Sequence, residues 1–219
     1  MEIEIRDLGV IEYGAAWDMQ RQVFDAVVQS KLTGGTEPQT LFLCEHPHVY
    51  TLGKSGAAEN LLVNDDFLRS IDATYVKTDR GGDITYHGYG QLVGYPVLDL
   101  ERFGMGLKEY IYALEESVIR TVADYGIESG RLDGATGVWL EKETARARKI
   151  CAIGVKASRF VTMHGFALNV NTDLKYFTYI NPCGFVDKGV TSLQAESGHE
   201  VDVQEVKQRF AAHFRAIFK

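Results

Sequence analysis

The sequence predicts an α/β domain of the α+β type: a mostly antiparallel mixed sheet flanked by helices. Roughly eight segments are short, strand-like and rich in Thr, Tyr, Val and Ile. Three stretches have apolar residues at helical spacing over enough length for a substantial helix. The strands come in adjacent runs instead of strict alternation with helices, which favours hairpins over repeated βαβ units. The chain has 219 residues, 45% of them hydrophobic, which suits a single domain spanning 1–219 with a sizeable core.

Each element has a local reason. Residues 2–6 alternate charged and apolar side chains like a strand. Tyr13, Trp17, Phe24, Val27, Val28 and Leu32 share a helix face, and Gly34-Gly35 ends that helix. Strands at 40–44 and 49–52 flank a His46-Pro47-His48 turn. Asn64 caps a short helix at 65–70. Residues 74–78, 84–87 and 91–99 read as strands. Leu107, Ile111, Leu114, Val118, Val122 and Tyr125 form a long amphipathic helix with Gly126 at its end. Strands follow at 136–141, 148–157 and 160–171. Asp202 and Glu205 make a capping-box-like pair for a last helix that shows Val203, Val206, Phe210, Phe214 and Ile217 on one face.

Composition excludes several classes. The formal net charge is -7, against a generic nucleic-acid binder, which needs a basic face. Three cysteines are too few for a disulfide scaffold. The charged, alternating N-terminus is unlike a signal peptide, and no apolar run approaches a membrane span. The expectation is a soluble, cytoplasmic protein.

The thiols and their neighbours carry the candidate chemistry. Cys44 lies in an apolar run and reads as core. Cys183 lies in the turn sequence Asn181-Pro182-Cys183-Gly184, where a thiol is accessible and held in place as a nucleophile must be. Lys149 precedes an apolar strand; burial there lowers its pKa and makes it a usable base, whereas a strand-end lysine that snorkels to water stays inert. Strand alternation puts Lys149, Cys151, Ile153 and Val155 on one face, so Cys151 rivals Cys183 as partner of Lys149. His87 and His164 both adjoin glycines, as either turn residues or groups that polarise a carbonyl. Two motifs fail. Gly53-Lys54-Ser55 lacks the first glycine of a phosphate-binding loop, because His48 stands there. Cys44, His46 and His48 are interrupted by Pro47, and no second metal-ligand cluster follows.

One run is diagnostic. Arg80-Gly81-Gly82-Asp83-Ile84-Thr85-Tyr86-His87-Gly88-Tyr89-Gly90-Gln91 resembles the signature of lipoyl(octanoyl) transferases. Further matching stretches come in the same order: Glu45-His46-Pro47, Lys149-Ile150-Cys151-Ala152-Ile153-Gly154, His164-Gly165-Phe166-Ala167-Leu168-Asn169 and Asn181-Pro182-Cys183-Gly184. Tyr89 departs from the family's usual proline.

The resemblance implies the fold of the catalytic module of biotin and lipoate protein ligases. It implies transfer of an octanoyl group from octanoyl-acyl carrier protein to a lysine of lipoyl domains, those of 2-oxoacid dehydrogenases and of the glycine cleavage H protein, within lipoate biosynthesis. It assigns catalysis to Cys183 and Lys149. It assigns acyl binding to Arg80, Gly81, Gly82, Asp83, Ile84, Thr85, Tyr86 and His87, to Ala152, Ile153 and Gly154, and to Gly165, Phe166 and Ala167, with His164 in support. Neither ATP nor a metal is expected. Both carriers are typically acidic, so the cations of 142–159 (Lys142, Arg146, Arg148, Lys149, Lys156 and Arg159) are the expected docking patch.

Overall fold

A computed structural model describes residues 3–181 and 188–219. The chain opens with β1 (Ile3–Val10), α1 (Tyr13–Thr33), β2 (Gln39–Glu45) and β3 (Val49–Leu52). It continues with α2 (Asp65–Ser70), β4 (Thr74–Lys77), β5 (Ile84–His87), β6 (Gln91–Val97) and α3 (Leu107–Ala123). Next come β7 (Gly130–Leu132), β8 (Ala135–Leu140), β9 (Arg148–Ser158), β10 (Val161–Asn169), β11 (Gly189–Val190), α4 (Leu193–Ser197) and α5 (Val203–Ile217). A 3₁₀ turn covers Leu174–Tyr179.

The described residues form two sheets. An eight-stranded sheet has the order β1-β2-β6-β10-β9-β8-β7, with β11 paired to β9. A three-stranded sheet has the order β4-β3-β5. Most pairs of the large sheet are antiparallel, but β1 with β2 and β11 with β9 run parallel, as do β3 and β4 in the small sheet; two of these parallel pairs, β1 with β2 and β3 with β4, are joined by crossovers. Helices α1 and α2 make those two crossovers, as a parallel pair requires. The expectation of hairpins between chain neighbours therefore fails at two places. β2 and β3 lie in different sheets, and so do β5 and β6. Their short turns carry the chain from one sheet to the other.

The hydrophobic pattern explains the layers. β6 and β10 are buried along their whole length, as central strands covered on both faces must be. One face of the large sheet, with Leu92 and Leu168, packs on Leu114 and Val118 of α3 and on Phe210 and Phe214 of α5. The other face, with Val93 and Ala167, packs on Tyr13, Phe24 and Val27 of α1. The small sheet has its own core around Tyr50, Leu68, Ile84 and Tyr86, closed by Tyr176 and Phe177 of the 3₁₀ turn.

The helix ends follow the sequence in most places. Gly34 takes the left-handed conformation at the end of α1 (φ 73°). The Asn64 side chain accepts from Phe67 N at 2.9 Å to start α2. The capping box of α5 does not form: Asp202 accepts from Gln204 N, and Glu205 instead pairs with Arg209 one turn on. No helix among the described residues is long and apolar enough to cross a membrane.

Candidate active site

A cavity of about 590 Å³ opens between the small sheet and the α1-side face of the large one. Its floor is a patch of small side chains. Across β9 and β10, Ala152 pairs with Ala167 and Gly154 with Gly165. Val93 extends this floor, and Leu174, Phe177 and Ile180 face it from the 3₁₀ turn and its end. Such a lining suits an apolar chain. At Gly154 the absence of a side chain has a second use: a Cβ there would lie 2.9 Å from the Gly81 carbonyl oxygen, so glycine lets the 80–82 loop close over the strand.

A β-bulge in β9 places Lys149. Val138 pairs with Cys151 and Trp139 with Lys149, which leaves Ile150 as an extra residue. Ile150 and Cys151 consequently both enter the core beneath α3 and α5, while Lys149 and Ala152 line the cavity. The expectation that Lys149 and Cys151 share a face is thereby corrected, and the bulge is the reason. Burial also pushes the Cys151 thiol pKa well up, which makes it a packing group and not a partner of Lys149.

Lys149 is half-buried, with its Nζ 4.6 Å from the centre of the buried Trp139 ring. Trp139 is itself fixed by its indole N–H donating to Ala135 O at 2.9 Å. Desolvation lowers the lysine pKa from its ordinary value, partly offset by Cys151 and Glu115. Gly137 of β8 lies against the lysine stem at φ 122°; a Cβ there would be 3.4 Å from Lys149 Cε and 2.5 Å from the Cys151 carbonyl oxygen.

The other end of the cavity is polar. Gln91 Nε2 donates to Tyr86 O and Asn169 Oδ1, so Gln91 Oε1 accepts from the Nδ1–H of His87 at 2.9 Å. Asn169 Nδ2 donates to Thr191 O, and Thr191 N donates to Lys149 O, a line of bonds from His87 to the lysine backbone. His164 adopts φ 60° and sets its Nε2 2.7 Å from Asp79 Oδ1, whose other oxygen takes Lys156 Nζ at 2.6 Å. Burial lowers the pKa of His87 to about 3 and of His164 to about 4, so both are uncharged at neutral pH. His164 pairs with Val155, six residues along β9 from Lys149 and roughly 20 Å away at ~3.3 Å per residue. That is too far for proton exchange with the lysine. Arg80 is buried and donates to Thr51 O at 2.6 Å and Thr51 Oγ1 at 3.0 Å, with its Nε–H unpartnered among the described residues.

Of the residues singled out from the sequence, Arg80, Gly82, Asp83, Ile84, Thr85, His87, Ala152, Ile153, Gly154, Gly165, Phe166, Ala167, Lys149 and His164 all line the cavity. Gly81 and Tyr86 do not. Gly81 ties its loop to β9 through Gly81 N to Val155 O at 2.9 Å. Tyr86 points into the small sheet's core, stacked on Tyr176 at 4.8 Å, while its β5 neighbours Thr85 and His87, on the opposite face, turn to the cavity. Cys183 lies outside the described residues, and its flanks Asn181 and Lys188 line the cavity. Tyr89 is exposed, stands edge-on to His48 at 5.1 Å and is not part of the cavity wall. It sits second in the Gly88–Gln91 turn, the position that favours proline, so the departure leaves the turn intact. Sequence reasoning missed Trp139, Gly137, Glu115 and Tyr13, since none belongs to a motif and only pairing brings them to the site.

Three of the six cations of the expected basic patch are tied to carboxylates. Arg148 pairs with Glu141 at 2.7 Å and Glu196 at 2.6 Å, Arg146 with Glu141 at 2.8 Å, and Lys156 with Asp79.

A small-residue floor on this two-sheet frame is a catalytic module of the lipoyl-ligase type: residues 12–215 match the Lipoyl protein ligase A/B catalytic domain. Solved structures share the fold. Lipoate-protein ligase A bound with ATP superposes with a TM-score of 0.72 at 16% identity, covering 99% of this chain and 85% of that one. The biotin protein ligase of Aquifex aeolicus gives 0.52 at 13%, covering 99% and 68%. The octanoyltransferase of Bacteroides thetaiotaomicron is 61% identical over 95% of this chain and 92% of its own. That of Christiangramia forsetii is 52% identical over 100% and 96%. The chain belongs to the octanoyltransferase family within the lipoyl protein ligase A/B catalytic-domain class.

Proposed function

We propose that this octanoyltransferase moves an octanoyl group from octanoyl-acyl carrier protein to a lysine of a lipoyl domain, through an acyl-thioester on Cys183. The observation that carries the reading is Lys149: a lysine with a lowered pKa, held by a bulge on the wall of a cavity with a small-residue floor. The chain segments flanking Cys183 reach the same cavity at Asn181 and Lys188.

In the first step neutral Lys149 takes the Cys183 proton, and the thiolate attacks the carrier's thioester carbonyl. The C–S bond to pantetheine breaks, and its thiolate recovers the proton from the Lys149 ammonium. In the second step the acceptor lysine's amine attacks the enzyme thioester, gives a proton to Lys149 and expels the Cys183 thiolate, leaving an amide; the Lys149 ammonium then returns the proton to Cys183. The acyl group arrives activated, so neither ATP nor a metal takes part. Splitting transfer in two lets two bulky carriers use one cavity in turn. Burying the seven-carbon tail at about 0.8 kcal/mol per carbon gives roughly 5–6 kcal/mol before costs.

The test is the intact mass after incubation with octanoyl-acyl carrier protein and no ATP. Wild type gains one octanoyl group, Cys183→Ser gains none, and Lys149→Ala acylates at least ~10²-fold more slowly. Transfer to the acceptor without any enzyme adduct, or transfer only with ATP, overturns this reading.

A further inference from the structure

The strongest unassigned arrangement lies behind Lys149, on the side away from the cavity. Glu115 of α3 is buried at 6% exposure. One of its oxygens accepts from Gly137 N at 2.9 Å, and the other from Arg131 Nε at 3.1 Å. Arg131 also donates to Glu116 Oε2 at 2.8 Å, so one guanidinium serves two carboxylates. The negative charge of Glu115 is thus incompletely balanced by its neighbour. Gly137 joins this carboxylate to the lysine: its N–H meets Glu115, and its bare Cα leaves the space along the Lys149 stem.

We propose that Glu115, acting through Gly137, is a positioning residue for Lys149 that holds the lysine's place and sets the pH at which it exchanges its proton. The inference rests on the reading that Lys149 carries a proton during transfer.

A buried carboxylate bonded to β8 secures the strand opposite the bulge, and with it the groove in which the lysine stem runs. Its charge also favours the ammonium form against the desolvation that disfavours it. Among the described residues, Cys151 and Glu115 are the groups that favour the Lys149 ammonium, and Glu115 is the carboxylate of the two. Cys151 is a neutral thiol in the core, Arg148 is committed to Glu141 and Glu196, and Lys188 on the cavity wall is itself a cation. The coupling is mutual: burial raises the Glu115 pKa, and Gly137, Arg131 and Lys149 lower it back.

The experiment titrates the Lys149 Nζ by ¹⁵N NMR in wild type, Glu115→Gln and Glu115→Asp, alongside the pH profile of octanoyl transfer. Glu115→Gln removes the charge and keeps the shape, so the Lys149 midpoint falls by about one pH unit, and the limb of the profile that follows lysine protonation moves with it. Glu115→Asp keeps the charge and stays nearer the wild-type midpoint. An unchanged midpoint in Glu115→Gln overturns the inference, and so do equal shifts in both variants, which would mean packing damage and not charge. A fully active Lys149→Ala would instead remove the underlying reading while leaving the NMR coupling as measured, so the two failures are distinguishable.

Discussion

Three buried histidines give the molecule an acid-sensitive interior. His46 donates from Nδ1 to Ile11 O at 2.6 Å and accepts at Nε2 from the Tyr95 hydroxyl at 2.7 Å, a pairing only the neutral ring can make. Burial takes its pKa to about 4, close to His164 at about 4 and His87 at about 3. An unfolded histidine binds its proton near pH ~6.5. Between that value and the folded pKa the unfolded chain holds more protons. The stabilisation is therefore complete above about pH 6.5 and is lost as pH falls toward 4, by about 1.4 kcal/mol per histidine per pH unit. Urea midpoints should drop steeply from pH 7 to pH 5. A midpoint that stays flat across that range would show that the rings are not held neutral.

At the scale of elements, β9 organises the site. Its bulge at Ile150 turns Lys149 to the cavity, and its far end is closed by a tight turn of two residues, Arg159 and Phe160. Both are left-handed, at φ 51° and 62°, in a hairpin position that favours Asn-Gly. Phe160 is 51% exposed, so little packing offsets the strain. The carbonyls of the turn accept from Leu100 N (at Phe160 O) and from Lys31 Nζ (at Arg159 O), bonds that use neither the Arg159 nor the Phe160 side chain. Replacing Arg159-Phe160 by Asn-Gly should stabilise the fold by about 1–2 kcal/mol and raise Tm by a few degrees, about 2–4 °C per kcal/mol. Calorimetry that finds a lower Tm would mean the Phe160 ring contributes more than its exposure suggests.

At the scale of the whole molecule, a net charge of -7 sets the terms for acidic partners. Because Glu141, Glu196 and Asp79 pair with Arg146, Arg148 and Lys156, three of the six 142–159 cations, the positive field of that hairpin is reduced. Arg146 is exposed, as are Lys142 and Arg159; with 80% of its side chain accessible, its pair with Glu141 contributes little. Arg146→Glu should change kcat/KM with octanoyl-acyl carrier protein by less than about twofold at physiological salt. A tenfold fall would reinstate the hairpin as the docking surface. Arg148 has a different task, holding β9 to α4 through Glu196, and its loss should appear in stability before rate.

Local patterning determined most elements and the residue classes of the cavity. The strand-like runs read at 91–99 and 160–171 are strands, and Gly34 ends α1 as its place in the pattern implied, although α3 stops at Ala123, short of Gly126. Tertiary structure decided what no period-two or period-3.6 pattern contains. An inserted residue at Ile150 reversed which neighbours of Lys149 face the cavity, a change of register visible only against β8. The division of β2 from β3 and of β5 from β6 between two sheets made the cavity itself. Long-range pairing likewise brought Glu115, Gly137 and Trp139 to the lysine and tied Arg148 and Lys156 of the basic stretch to distant carboxylates. The physical reason is common to all of these: alternation and propensity act within a few residues, whereas charge, burial and proton affinity are set by whatever the fold packs against them.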